Sequence, residues 1–497
     1  MMNGPQKSDS CIVAKKPSNK SGQPGAETVE RRQGAEGNTV KPSMCRTLCR
    51  ASMSQGLDRV REAAKARKKE RFTALLHHVT VDLLREAYLW LKRGAAPGVD
   101  GVTWQDYEQD LEVKIVDLHA RLHRGAYRAQ PSRRKYIAKA DGRERPLGIA
   151  ALEDKIVQRA LVEVLNAIYE EDFVGFSYGF RPGRGQHDAL DALAVGIGRM
   201  KVSWIIDADV AGFFDTVDHD WLVRFLEHRI GDRRVIRLIR KWLKAGVMED
   251  GKITPTEVGT PQGAVISPLL ANIYLHYVFD LWANRWRKHQ AGGQVIFVRY
   301  ADDIVVGFQH EADAKRFMAD LRQRMEEFSL SLHPVKTRLI EFGRFAAERR
   351  SRRGLGKPET FNFLGFTHIC GRSLRGAFLL LRKTRGDRMR VKLGAIKEEL
   401  QRRWHDSIVQ QGQWLAQVVR GYLNYHAVPT NAQCLGAFRH HVLNLWRRAL
   451  KRRSQRDRTT WTDMDRLAAA FLPPARILHP WPDVRFAANH PRWEPGA

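Results

Sequence analysis

Along most of the chain, apolar residues recur at helical spacing; in a few places they close up into short unbroken runs that read as strands. Leu57–Glu70 reads as a charged, Ala-containing helix, and Phe72, Leu75, Leu76, Val79 and Leu83 share one face of a second. Pro97-Gly98 breaks that pattern. Tyr136 to Gly148 predicts a hairpin turning at Asp141-Gly142. Ile156, Ala160, Leu161, Val164 and Ile168 mark a helix, and Val202 to Val210 a buried strand with acids at its far end. Helical character then runs to about Ala245, and Ser267–Trp286 predicts another helix. Val295–Phe308 is strand-like except for a central Ala-Asp-Asp. From about residue 385 only helices are expected: Met389, Leu393, Ile396, Leu400 and Trp404 line one face, followed by Val418, Tyr422 and Tyr425, then Phe438, Val442, Leu445 and Leu450. The fold class expected is therefore α+β followed by an all-α bundle.

Composition sharpens this outline. A chain of 497 residues exceeds one ordinary core. Residues 1–56 are rich in Gly, Ser, Pro, Lys and Gln and are expected to be a disordered tail. No apolar span approaches the roughly 20 residues of a membrane helix, and no signal pattern opens the chain, so a cytoplasmic protein without a membrane partner is expected. Lys and Arg number 84 against 55 acids, a net charge of +29, and residues 341–460 hold 26 of these bases against 8 acids. An excess of this size calls for a polyanion, because neutralised phosphates release counterions. Cys45 and Cys49 could chelate a metal, but no second Cys/His pair accompanies them, so Cys11, Cys45, Cys49, Cys370 and Cys434 are expected as free thiols.

Candidate chemistry lies in the acids. A hairpin with Asp302 and Asp303 at its tip sets like charges side by side, which a divalent cation would relieve. On its own, Asp-Asp is better explained as an ordinary polar turn. Asp209, at the end of the 202–210 strand, adds a third acid that could face Asp302 and complete a two-metal site. Asp207, Asp215 and Asp218 compete for that place; Asp207 and Asp209 share a strand face, so spacing does not choose between them.

The ordered motifs Arg145-Pro-Leu-Gly-Ile149, Tyr178-Gly-Phe-Arg-Pro-Gly183, Asp209-Val-Ala-Gly-Phe-Phe-Asp215, Gly259-Thr-Pro-Gln-Gly263, Ile266-Ser-Pro-Leu-Leu-Ala-Asn-Ile-Tyr274, Tyr300-Ala-Asp-Asp303 and Phe363-Leu-Gly-Phe366 resemble the group II intron-encoded, maturase-type reverse transcriptases. Gly421-Tyr-Leu-Asn-Tyr425 resembles their maturase-specific thumb region. The resemblance spans roughly residues 57 to 460 and implies a right-hand polymerase, with fingers and a palm built on an antiparallel sheet over 57–368. A thumb bundle would follow over 385–465, and a C-terminal extension over 466–497 could contact nucleic acid.

It also implies roles. Asp209, the Val210 carbonyl, Asp302 and Asp303 would hold two Mg²⁺ ions, with Mn²⁺ as a substitute. Phe214 would exclude a ribose 2′-hydroxyl. Arg133, Lys139, Arg145, Gln262 and Lys336 would meet the dNTP, with Lys336 a candidate general acid. Tyr300, Leu364, Gly365, Arg388, Arg390 and Lys392 would meet primer and template. Expected partners are an RNA template, structured intron RNA, a DNA primer or target and dNTPs, with nucleoid association when DNA is bound. Ala264 and Ala211 depart from the common Gly and Lys without removing a catalytic group. Neither paired Cys-x-x-Cys motifs nor a His-Asn-His arrangement occurs near the C-terminus, so no endonuclease domain is expected and the primer would come from elsewhere. The leading expectation is an RNA-directed DNA polymerase that copies intron RNA and assists splicing and mobility. Its rivals are a polymerase-decayed splicing cofactor and a reverse transcriptase domesticated for phage defence or spacer acquisition.

Overall fold

A computed structural model describes residues 44–138, 144–249, 251–255, 257–260, 262–453 and 459–489, without the side chains of 44–54, 138, 145 and 489. Its strands are β1 (Ser132–Ala138), β2 (Glu144–Ile149), β3 (Trp204–Asp209), β4 (Val247–Glu249), β5 (Lys252–Thr254), β6 (Val295–Tyr300), β7 (Asp303–Phe308), β8 (Arg338–Glu341), β9 (Phe361–Phe363), β10 (Phe366–Arg372) and β11 (Phe378–Thr384). They form three sheets, ordered β2-β1-β4-β5, β6-β7-β3-β8 and β11-β10-β9. The second is antiparallel throughout, as expected of the palm. Strands β6 and β7 are buried on both faces because helices Gln186–Arg199 and Glu311–Glu327 pack against them.

Beneath the β6–β7 turn lies a buried polar knot. Arg299, in an otherwise apolar strand, is fully buried, and its Nε and Nη2 donate to the two oxygens of the equally buried Asp280 at 2.7 and 2.6 Å. Nη2 also donates to Ser177 Oγ at 2.7 Å, and Nη1 to Asn272 Oδ1 at 3.1 Å and to the Ala301 carbonyl at 3.0 Å. Asn272 in turn donates to the Gly179 carbonyl at 2.7 Å. Gly179 runs so close under the turn that a Cβ there would lie 2.3 Å from Ala301 N. Two of the quoted motifs thus meet at one guanidinium, and a third joins them through the Asn272 bond to Gly179.

Two helix expectations change. The first helix is Met44–Ala66, which begins inside the supposed tail because its Met, Leu, Arg and Ala residues are good helix formers. It ends before Glu70 because buried Arg229 donates to the carbonyls of Ala64, Arg67 and Glu70. Leu75, Leu76, Val79 and Leu83 are buried as their pattern requires, yet residues 72–80 do not form a regular α-helix. Phe72 instead pairs its backbone with Arg229 and Gly231, and the Asp232 carboxylate accepts from Leu75 N and Leu76 N at 2.9 and 3.0 Å. The regular helix starts at Val81, capped by Thr80.

Helices Gly386–Arg402, Ile408–His426, Ala432–Lys451 and Trp461–Phe471 share a second core around Leu415, Phe438, Trp446 and Met464. The expected limit at 465 falls inside the last of these helices, and the limit at 368 falls inside β10. Part of the extension beyond it packs on protein: helix Pro482–Asn489 lies on Gln186–Arg199, and Phe486 joins the first core. The Asp141-Gly142 turn, Lys139, Cys11, the Cys45 and Cys49 side chains and the ends 1–43 and 490–497 lie outside the described residues. Cys370 and Cys434 are free. No described helix is long and apolar enough to cross a membrane.

Removing one member of the Arg299–Asp280 pair leaves the other charged and buried. Asp280→Ala or Arg299→Ala should therefore lower unfolding free energy by about 3–5 kcal/mol. The double replacement Arg299→Met with Asp280→Leu should cost less than either, as judged by thermal and denaturant melts.

Candidate active site

β6 and β7 are joined by Ala301-Asp302 alone, closing on the pair Tyr300↔Asp303. Ala301 takes φ +56°, a conformation an L-residue rarely holds, and the Arg299 bond to its carbonyl secures it. Next to this hairpin runs β3, whose last residue Asp209 stands in register with Asp303. Past that pair the β3 backbone turns to another partner: His333 N donates to Asp209 O and Ala211 N to Ser331 O, both at 2.8 Å. Backbone groups alternate sides along an extended strand, so the Val210 carbonyl between them turns the other way, toward the hairpin side.

Asp207 lies two residues back, opposite Val305 and Arg338. Its carboxyl is pushed up to about 6, by burial first, with Arg338 opposing at 3.9 Å. Asp209 is held differently: Lys336 Nζ lies 2.8 Å from its Oδ2. Asp303 keeps a solvent-facing surface, but the protein packed around the tip pushes its carboxyl up to about 7. Asp302, Asp209 and Asp207 add to that push and Lys336 opposes it. Among the described residues no three acidic, His or Cys groups enclose one point by themselves. An all-oxygen, negatively charged, partly open set of this kind suits a hard divalent ion whose shell is completed by water and substrate phosphate.

Of the other expected residues, Lys336 and Tyr300 adjoin the acids directly. Phe213 is buried core, whereas Phe214 is half-buried, its ring edge-on to Phe213 at 5.5 Å. Gln262 approaches from the Gly259–Gly263 loop, and its carbonyl accepts from Gly148 N of β2 at 2.7 Å, which joins that loop to the fingers hairpin. Arg133 is half-buried in β1, in register with Ile149. Arg145 pairs its backbone with Ile137; its side chain lies outside the described residues, as does Lys139. Leu364-Gly365 is the two-residue turn between β9 and β10, with φ of +44° and +79°. Tyr425 Oη donates to the Leu364 carbonyl at 2.8 Å, and Arg385 N to that of Gly365 at 3.1 Å.

Tyr300 is half-buried near Phe180, while Arg388 and Arg390 are exposed on helix Gly386–Arg402 with Lys392 half-buried beside them. Tyr422, one of the basic bundle's aromatics, is buried and stacked on Phe438 at 3.5 Å, so it is core and no platform for bases. Sequence reasoning missed Arg299, Asp280 and Asn272. A lone Arg inside an apolar strand was the available signal, since a buried guanidinium demands a buried carboxylate.

Residues 137–368 match the family described as reverse transcriptase (RNA-dependent DNA polymerase). Protein YkfC of Escherichia coli (strain K12) is 35% identical over 302 residues, covering 53% of this chain and 79% of YkfC. The group II intron-encoded protein LtrA of Lactococcus lactis subsp. cremoris is 37% identical over 222 residues, covering 44% of this chain and 37% of LtrA. Nuclear intron maturase 1, mitochondrial, of Arabidopsis thaliana is 32% identical over 92 residues, 18% of this chain and 13% of the maturase. With its antiparallel palm sheet and its acids gathered at the ends of the central strands, the chain belongs to the reverse transcriptase family, the RNA-directed DNA polymerases related to group II intron-encoded proteins.

Proposed function

We propose that this reverse transcriptase copies intron RNA into DNA at the Asp209, Asp302 and Asp303 site and binds the same structured RNA to assist its splicing and mobility. The observation that carries the catalytic part is the register of Asp209 with Asp303, beside the Asp302 turn. Two Mg²⁺ ions, bound by these carboxylates and the Val210 carbonyl, would activate the primer 3′-hydroxyl and stabilise the leaving pyrophosphate. Mn²⁺ would substitute.

The remaining roles belong to the chain's own side chains. Arg133, Lys139 and Arg145 on the fingers hairpin grip the triphosphate and offset its charge. Phe214 closes the space a 2′-hydroxyl would need, and Gln262 meets the nucleotide from the facing loop. Lys336, beside Asp209, is the candidate general acid for the leaving pyrophosphate. Tyr300 and Leu364-Gly365 support the primer end. Arg388, Arg390 and Lys392 track the template–primer backbone on the thumb, the domain begun by helix Gly386–Arg402. Its neighbours in sequence bring a strong positive excess, which suits structured RNA. A chain of this kind would work in the cytoplasm, and on the nucleoid when DNA is bound.

Primer extension tests the catalytic assignment. On poly(rA)–oligo(dT), Asp302→Ala should lose activity by roughly a thousandfold or more, with RNA affinity kept; a variant still extending at wild-type rate would sink the metal reading. Phe214→Ala should shift the choice between deoxyribo- and ribonucleotides by about a hundredfold toward the latter, measured as a ratio of kcat/KM values. Reversing Arg388, Arg390 and Lys392 to Glu should flatten the salt dependence of RNA binding by roughly one unit of slope for every phosphate no longer neutralised. An unchanged slope would remove these three from the nucleic-acid path.

A further inference from the structure

The loop bearing Gln262 is docked on the turn bearing Phe214. Thr260 N donates to Phe214 O at 2.7 Å and Gly259 N to Val217 O at 2.8 Å. The His219 imidazole meets the Gly259 carbonyl at 2.6 Å. Gly259 has φ +86°, and a Cβ there would stand 2.9 Å from the Phe214 oxygen and 3.0 Å from that of Asp215, so the approach admits only glycine. Together with the Gly148 bond, these interactions fix the loop backbone. They leave the Gln262 side-chain amide free to turn.

One more hydrogen-bonded pair removes that freedom. Gln262 Nε2 lies 3.1 and 3.2 Å from the two carboxylate oxygens of Asp215. An ionised carboxylate only accepts hydrogen bonds, so the amide nitrogen must face Asp215 and the amide oxygen must face away. We propose that Asp215 is a positioning residue which orients the Gln262 amide, so that Oε1 is presented to the incoming nucleotide as a fixed acceptor. The proposal rests on the reading of Gln262 as a nucleotide contact. It takes Asp215, a competitor for the metal on spacing alone, and gives it a different task. An unheld amide would offer donor or acceptor with equal ease, so the loss falls on nucleotide binding and spares the chemical step.

Steady-state dTTP kinetics on poly(rA)–oligo(dT) test this with Asp215→Ala, Asp215→Asn, Gln262→Ala and the Asp215→Ala/Gln262→Ala double variant. Asp215→Ala and Gln262→Ala should each raise KM on the order of tenfold with kcat nearly kept. The double variant should be no worse than either single, because both remove one interaction. Asp215→Asn, whose Oδ1 still accepts, should recover most of the loss. Asp215 is exposed and none of the backbone ties uses its side chain, so the loop stays docked in every variant. Three results overturn the proposal while leaving Gln262 as a nucleotide contact: a normal KM in Asp215→Ala beside a raised KM in Gln262→Ala, multiplicative effects in the double variant, or a loss confined to kcat in Asp215→Ala. A normal KM in Gln262→Ala removes the nucleotide role of Gln262 itself, and the proposal with it.

Discussion

A guanidinium has five N–H donors, and all five of those on Arg299 are spent: two on Asp280, one each on Ser177, Asn272 and the Ala301 carbonyl. A buried ion pair contributes little net stability, because desolvation offsets its attraction. What this pair supplies is position. The β6 and β7 strands are apolar almost throughout, and apolar strands buried on both faces fix their register weakly. A slip by one residue would turn Asp303 away from Asp209 and bury a carboxylate. With its guanidinium tied to Asp280, Arg299 can satisfy the Ala301 carbonyl in one register only, so the knot under the turn determines where the acids stand.

From that fixed point the site divides into two kinds of support. On the palm side the acids are balanced by cations of the chain, Lys336 at Asp209 and Arg338 at Asp207. The backbone of Asp209 is further held by His333 N. On the side of the Gln262 loop the support is steric and directional: a glycine with no room for a side chain, then carbonyls and amides passed from the Phe214 turn to that loop and on to β2. The first arrangement tolerates a change of local charge, as when a cation or phosphate arrives. The second holds distances and tolerates very little.

The sequence made the strands of the site legible, because Val202–Val210 and the two halves of Val295–Phe308 are apolar runs bounded by acids, and a run of that length has few ways to be buried. Helix Leu152–Asp172 was legible for the matching reason, a long stripe with a helical period. Residues 72–80 were not. Their stripe is real, but its backbone partners are Arg229, Gly231 and Asp232, far along the chain, and such tertiary hydrogen bonds override a local pattern. Asp280 and the Asp215 tie to Gln262 share that obstacle: each is an ordinary acid until its partner is known. Helix Pro482–Asn489 has no period strong enough to announce it and is defined by what it docks against.

The same contrast bears on how the two cores are joined. The turn expected to support the primer belongs to the first core, yet Tyr425, from a helix of the second, donates to its Leu364 carbonyl. Asn431 exchanges bonds with Thr384 at the end of β11, accepting from Thr384 N at 3.0 Å and donating to Thr384 Oγ1 at 2.8 Å. Farther along, buried Asp191 gives one oxygen to Arg382 of β11 and the other to Arg485 of the C-terminal helix, at 2.9 and 2.8 Å. Burial still pushes the Asp191 carboxyl up to about 6 despite two guanidiniums, a measure of how much desolvation this junction accepts. An apolar interface of the same extent would resist separation equally well but would tolerate sliding. Directional bonds do not slide, so these contacts hold the helical bundle in one position against the Leu364-Gly365 turn and β11.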